Sequence, residues 1–194
     1  MKNCANLLRR LGVLLAGLVA VTGAFAFVHI INDNTKLPIK WPAGTVQIRI
    51  MMGTSPSYSD GTAPNTTVQV AADTWNTRMG AVQISATQAA AGSASDTNNV
   101  NELSFASDVF GKAFEENVLA VTTGFSSGNE RTRSDIVFNS AKQWDSYRGG
   151  LQTKVDLRRV ALHELGHLLG LDHPDEATPV QSVAAIMNSH IGSL

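Results

Sequence analysis

Residues 163–174 read HELGHLLGLDHP, and three of the five histidines in the 194-residue chain fall between positions 163 and 173. His163 and His167 stand four apart. On a helix that spacing puts both imidazoles on one face, a turn apart, where they can share one metal ion. Glu164 is rotated about 100° from His163 and about 60° from His167, so it flanks such an ion without binding it. A general base that takes a proton from an ion-bound water belongs there. Gly170 lets the chain turn back, and His173 then returns as a third nitrogen ligand. Three nitrogens with an open fourth position describe a catalytic zinc site, whereas structural sites are closed by four protein ligands. At average residue usage the pattern arises by chance in on the order of one in 100,000 chains of this length.

The elements needed to position these groups are legible around them. Residues 45–51, TVQIRIM, alternate as a half-buried strand with Val46, Ile48 and Ile50 on one face. From about Thr66 to Met79, apolar residues Val68, Ala72, Trp75 and Met79 recur at helical spacing, which predicts an amphipathic helix packed on a sheet. Residues 81–86, 102–106, 118–123 and 135–139 read as further strands. The Ala/Ser/Asn/Gly-rich stretch 87–101 reads as a slack surface loop, and GFSSGNERTRS, 124–134, as another. FGKAFEEN, from Phe110, fits either a turn or a short helix. A second helix carries the histidines: Thr153 and Asp156 resemble a capping box at its start, and Gly170 is placed to end it in a left-handed conformation. Strands, a helix, more strands and a second helix predict an α+β domain.

Composition bounds the rest. Lys2, Arg9 and Arg10 precede an apolar run, 11–28, that contains the small-x-small pattern Ala24-Phe25-Ala26. Residues 1–26 therefore read as a signal peptide and 27–194 as one exported domain, secreted or periplasmic. The other reading of the run is an uncleaved membrane anchor. Cys4 is the only cysteine, so in the processed chain any metal is held by nitrogen or oxygen. Losing Lys2, Arg9 and Arg10 takes the net charge from −1 to −4, which argues against a nucleic-acid partner. Nothing in the sequence specifies an oligomer, and signal cleavage would leave no membrane segment.

HELGHLLGLDH followed by AAIMNS resembles the metzincin zinc metallopeptidases, whose pattern is HExxHxxGxxH with a later Met-turn. Within that group, GLDH, the short spacing to AIMNS and Trp41 ahead of the first strand look most like the matrixins. The proline after the third histidine is more serralysin-like, but the serralysin repeats are absent. The resemblance is specific over residues 160–189. It implies a twisted, mostly parallel sheet with an edge strand, an active-site helix and a second long helix. It implies one catalytic Zn2+ on His163, His167 and His173, with Glu164 activating the water and shuttling its proton to the leaving amine. Met187 would be the Met-turn methionine beneath the site. The strand Asp135, Ile136, Val137, Phe138 and Asn139 would be the edge that pairs with an extended protein or peptide substrate.

Departures from the pattern shape further expectations. Only His29 and His190 remain for a second, structural zinc, so none is expected; His29 reads as incidental and His190 as a surface residue. The 54–65 and 124–135 loops hold acids and carbonyls that would suit Ca2+, but neither matches a calcium motif. No mature cysteine is left for cysteine-based latency, and no tyrosine follows the Met-turn to act as an extra ligand. The chain ends seven residues after Met187, where the family's closing helix would follow. The leading expectation is a zinc endopeptidase. The alternatives are a catalytically weak or inactive zinc-binding module and a zinc hydrolase with a non-peptide substrate.

Overall fold

A computed structural model describes residues 27–190. The expected signal peptide 1–26, with Cys4, lies outside the described residues, as do residues 191–194 at the end of the expected domain. The main sheet has five strands: β1 (Gly44–Ile50), β2 (Val82–Gln88), β3 (Asn101–Ala106), β4 (Ala120–Ser127) and β5 (Glu130–Asn139), in the order β2-β1-β3-β5-β4. The first three pairings in that order are parallel, and only β4 runs antiparallel, against β5. Helices α1 (Pro64–Asn76) and α2 (Leu157–Leu168) pack on each other and on the sheet. The chain is thus α+β with a mixed, mostly parallel sheet, as the sequence implies. No helix among the described residues is long and apolar enough to cross a membrane.

Burial explains the layering. Val46, Ile48 and Ile50 of β1 point into the core while Thr45, Gln47 and Arg49 between them are exposed, the signature of a strand covered on one face. In β5 every residue from Arg133 to Asn139 is buried, the signature of an interior strand. The core joins these side chains to Val68, Ala71 and Ala72 of α1 and to Leu157, Val160, Leu165 and Leu168 of α2.

Several sequence expectations need correcting. Residues 135–139 are not an edge: they pair with β3 on one side and β4 on the other. The edge beside α2 is β4, whose polar Gly/Ser-rich half had read as loop. Residues 124–134 are instead a hairpin whose ladder runs from Ala120↔Phe138 to Ser127↔Glu130, with a bulge at Phe125/Ser126. Its outer half is stabilised by backbone pairing and by the Arg133 guanidinium stacked 3.7 Å over the Phe125 ring. The 87–101 stretch is not slack. Gly92 donates to Met51 O, Ala94 to Ser104 Oγ and Ser95 to Glu102 Oε2, and the Asp96 and Asn98 carbonyls accept from Arg133. The FGKAFEEN segment is a turn, joining Asp108–Val109 to Lys112–Ala113.

The helix that carries the motif starts and ends for local reasons. Asp156 is itself the N-cap, its carboxylate accepting from Arg158 N at 3.1 Å, so Thr153 forms no capping box. At the other end Gly170 has φ +97° and its N–H returns to His167 O at 2.9 Å. The carbonyl of Leu168 is taken by Trp41 Nε1 at 2.7 Å, and that of Leu162 by Trp75 Nε1 at 2.9 Å. The lead-in strand buttresses the turn that follows: Val28–His29 pairs antiparallel with Leu171–Asp172, and Ile30 N donates to Gly170 O.

A Cβ at position 170 would meet Ile39 O at 2.7 Å in addition to the left-handed strain. Gly170→Ala should therefore destabilise the fold by about 1–3 kcal/mol in urea unfolding. Gly80→Ala, where a Cβ meets nothing within 4 Å, should be neutral or slightly stabilising.

Candidate metal centre and cleft

His163 and His167 project from α2, and His173 returns after the Gly170 turn, as the spacing predicts. Their three Nε2 atoms converge: His163 and His167 at 3.0 Å, His167 and His173 at 3.0 Å, His163 and His173 at 3.2 Å. Each Nδ1 faces an acceptor: Ile186 O at 2.7 Å, Leu171 O at 2.8 Å and Glu176 Oε2 at 2.9 Å. Carbonyl and carboxylate oxygens only accept, so each Nδ1 carries the proton and each Nε2 presents a lone pair. The three close contacts between Nε2 atoms are therefore not hydrogen bonds. They are three lone pairs aimed at one point, an arrangement that a cation relieves.

The donor set fits zinc. A tetrahedral zinc with Zn–N near 2.05 Å sets its nitrogens about 3.3 Å apart, close to the spacing found. Burial keeps the ligands neutral: it is the largest cause pushing His163 down to about 4, with the His167 charge next. Burial also lowers the pKa of His167. No other cluster of three His, Cys, Asp or Glu side chains suited to a metal occurs among the described residues.

Glu164 sits beside this triad at 6 % exposure. Burial pushes its carboxyl up to about 7, against the opposing pull of the Thr122 hydrogen bond and of His173. Thr122 Oγ1 lies 2.6 Å from Glu164 Oε2. Thr122 belongs to the edge strand β4, so the sheet edge and the helix meet at this carboxylate. Both line a cleft of about 890 Å³ that also holds the three histidines.

Met187 is 1 % exposed and packs under the motif helix. A Cβ on Gly166 would overlap the Met187 sulfur and crowd Trp75, so the glycine inside HELGH is required by packing. The carbonyl one residue before Met187 holds His163, and Ser189 is bound to Asp175 through its N–H at 2.9 Å and its hydroxyl at 2.8 Å. The Met-turn is therefore fastened to the loop that follows His173. His190 is exposed at the rim of the same cleft, and His29 lies in the pairing that supports Leu171.

The structure brings His163, Glu164, His167, His173 and Met187 together. Residues 135–139 lie one strand further in, behind β4. Sequence reading missed three contributors. Thr122 had no signal, being 42 residues from Glu164 in an ordinary Thr-Thr-Gly run. Glu176 had a weak one, an acid three residues after the last histidine. Gly166 had a clearer one, a glycine in a helix interior, which commonly marks close packing.

A sequence model of the family described as matrixin matches residues 40–191. No curated protein sequence matches the chain.

Glu176 orients a ligand without touching the metal position, and such partners commonly carry 10- to 100-fold in metal affinity. Glu176→Ala should weaken zinc binding by about that factor, measured by competition with a chromophoric chelator. His163→Ala should weaken it far more, and should abolish the rise in melting temperature that zinc gives the parent.

Proposed function

The chain belongs to the matrixin family of zinc-dependent peptidases, and on that premise we propose that it is an active endopeptidase in which Glu164 is the general base. The observation that carries this reading is the convergence of three Nε2 lone pairs beside a buried carboxylate in an open cleft. A structural ion would need neither the carboxylate nor the cleft.

His163, His167 and His173 would hold the zinc through Nε2. Bound there, zinc supplies Lewis acidity, polarising a scissile carbonyl and making a water acidic near neutral pH. Thr122 holds Glu164 Oε2, which leaves Oε1 to accept the proton of the attacking water and to deliver it to the leaving nitrogen. A carboxylate held in place beside the metal position can serve both halves of that transfer, as base and then as acid. The outer side of β4 has no strand partner among the described residues, and β4 borders the cleft. An extended peptide can add to it by main-chain hydrogen bonds, with side chains alternating into the cleft and out to solvent. This supports peptide substrates over other carbonyl compounds, with β4 rather than β5 as the strand that receives them. The basic start and apolar run of residues 1–26 support export of the enzyme.

The test is hydrolysis of an unfolded generic protein by the full chain loaded with zinc. Glu164→Gln should lower kcat/KM by about 10²- to 10⁴-fold while retaining stoichiometric zinc. Thr122→Val removes a hydrogen bond to a charged group and should cost about 10- to 100-fold, with zinc affinity retained. Zinc bound without any cleavage, or cleavage indifferent to Glu164, would sink the reading.

A further inference from the structure

The peptidase reading leaves open which peptides the cleft accepts, and two arginines of β5 bear on that question. Arg133 has a buried counter-ion, although its Nε, like that of Arg131, makes no hydrogen bond. Its Nε lies 3.3 Å from Asp135 Oδ2, its terminal nitrogens donate to the Asp96 and Asn98 carbonyls, and its plane covers Phe125. Arg131, two residues earlier, is 4 % exposed, yet it makes none of the ion pairs found among the described residues and its Nε has no hydrogen-bond partner. Its backbone N–H is tied to Lys40 O at 2.8 Å. Its guanidinium lies over the edge strand, where a Cβ on Gly124 would overlap Nη1. Ser126, the register partner of Arg131, and Gly124 line the same cleft as His167.

A guanidinium nine-tenths buried without a counter-ion is costly, and its planar fork matches a carboxylate in two parallel hydrogen bonds. Gly124 supplies the room that lets the fork reach the cleft wall. Resting on the peptidase reading, we propose that Arg131 is a specificity-determining residue that receives an Asp or Glu side chain of a peptide laid along β4. Thr122 lies next to Glu164, so the acidic residue would sit on the Gly124–Ser126 side of the scissile bond, away from Ala120.

The experiment walks a single Glu, paired with a Gln control, through an otherwise neutral amidated peptide. Two quantities are read: kcat/KM with the zinc-loaded parent, and affinity for zinc-loaded Glu164→Gln protein by fluorescence anisotropy. At one position Glu should exceed Gln by about tenfold or more in both. Arg131→Gln should bring that ratio near one, and Arg131→Lys should keep part of it. Should Arg131→Gln not fold, the parental ratio and its reduction in Arg131→Lys decide the matter. Cleavage without any Glu preference, or a preference that both Arg131 variants preserve, overturns the proposal and leaves the peptidase reading standing. An Arg131-dependent Glu preference in binding, with no cleavage by the parent, sinks the peptidase reading and keeps the carboxylate site. Neither cleavage nor preference sinks both. A preference only for a free C-terminal carboxylate, seen when the amide is omitted, overturns the side-chain assignment.

Discussion

Three imidazole lone pairs held within 3.0–3.2 Å of one another repel, and most of this fold is organised around keeping them there. The three restraints come from separate parts of the chain. His163 is held by the Met-turn, His167 by the strand that follows the helix, and His173 by an acid in its own loop. Each restraint is an acceptor on Nδ1, and each therefore does two things at once: it fixes the ring and it forces the lone pair onto Nε2. A cluster of His side chains with mixed tautomers would satisfy itself by internal hydrogen bonds and would have no need of a cation. This one cannot, because all its protons point outward.

Holding the rings still requires holding the helix still, and that burden falls on distant elements. Trp75 of α1 and Trp41 of the lead-in each donate an indole N–H to a carbonyl of the active-site helix. Met187 fills the space that Gly166 vacates, so the helix is seated from below at the level of the two ligands. The lead-in strand, the part of the domain furthest from the motif in sequence, ends up paired with the residues just before His173. The Met-turn is tied in turn to Asp175. Losing any of these would move ligands without removing one, which is why the domain's edges matter to its centre.

How much of this was legible in the sequence depended on locality. His163, Glu164, His167 and His173 lie within eleven residues of one helix and its exit turn, so helical geometry alone brings them together. The strand and helix order was likewise readable from periodicity, because β1 is buried on one face and α1 is amphipathic. What failed required knowing a strand's neighbours. The run at 135–139 reads as a compact apolar strand, and its continuous burial comes from being interior with both faces covered. The true edge reads as loop because an edge bordering a cleft carries Thr, Gly and Ser. Thr122 reaches Glu164 only through the β4–β5 register and the packing of β4 on α2, neither of which any local pattern encodes. The 87–101 stretch failed for a related reason: its order comes from Glu102, Ser104 and Arg133, which receive its backbone groups from neighbouring strands.

The two arginines of β5 carry that point to its end. Arg131 and Arg133 are indistinguishable in the sequence ERTRS except by position, and plain alternation would put them on one face; the bulge that sets Arg131 opposite Ser126 and Arg133 opposite Phe125 sends them to opposite faces instead. On one face the guanidinium meets a buried Asp and two loop carbonyls, and its charge is consumed in holding the 87–101 segment against the sheet. On the other it meets a glycine of the edge strand and the cleft, and no protein acid answers it. The same residue type, two positions apart, is structural in one case and available in the other. The difference is made by the sheet: an interior strand buries both of its faces, but only the face toward α2 borders the cleft.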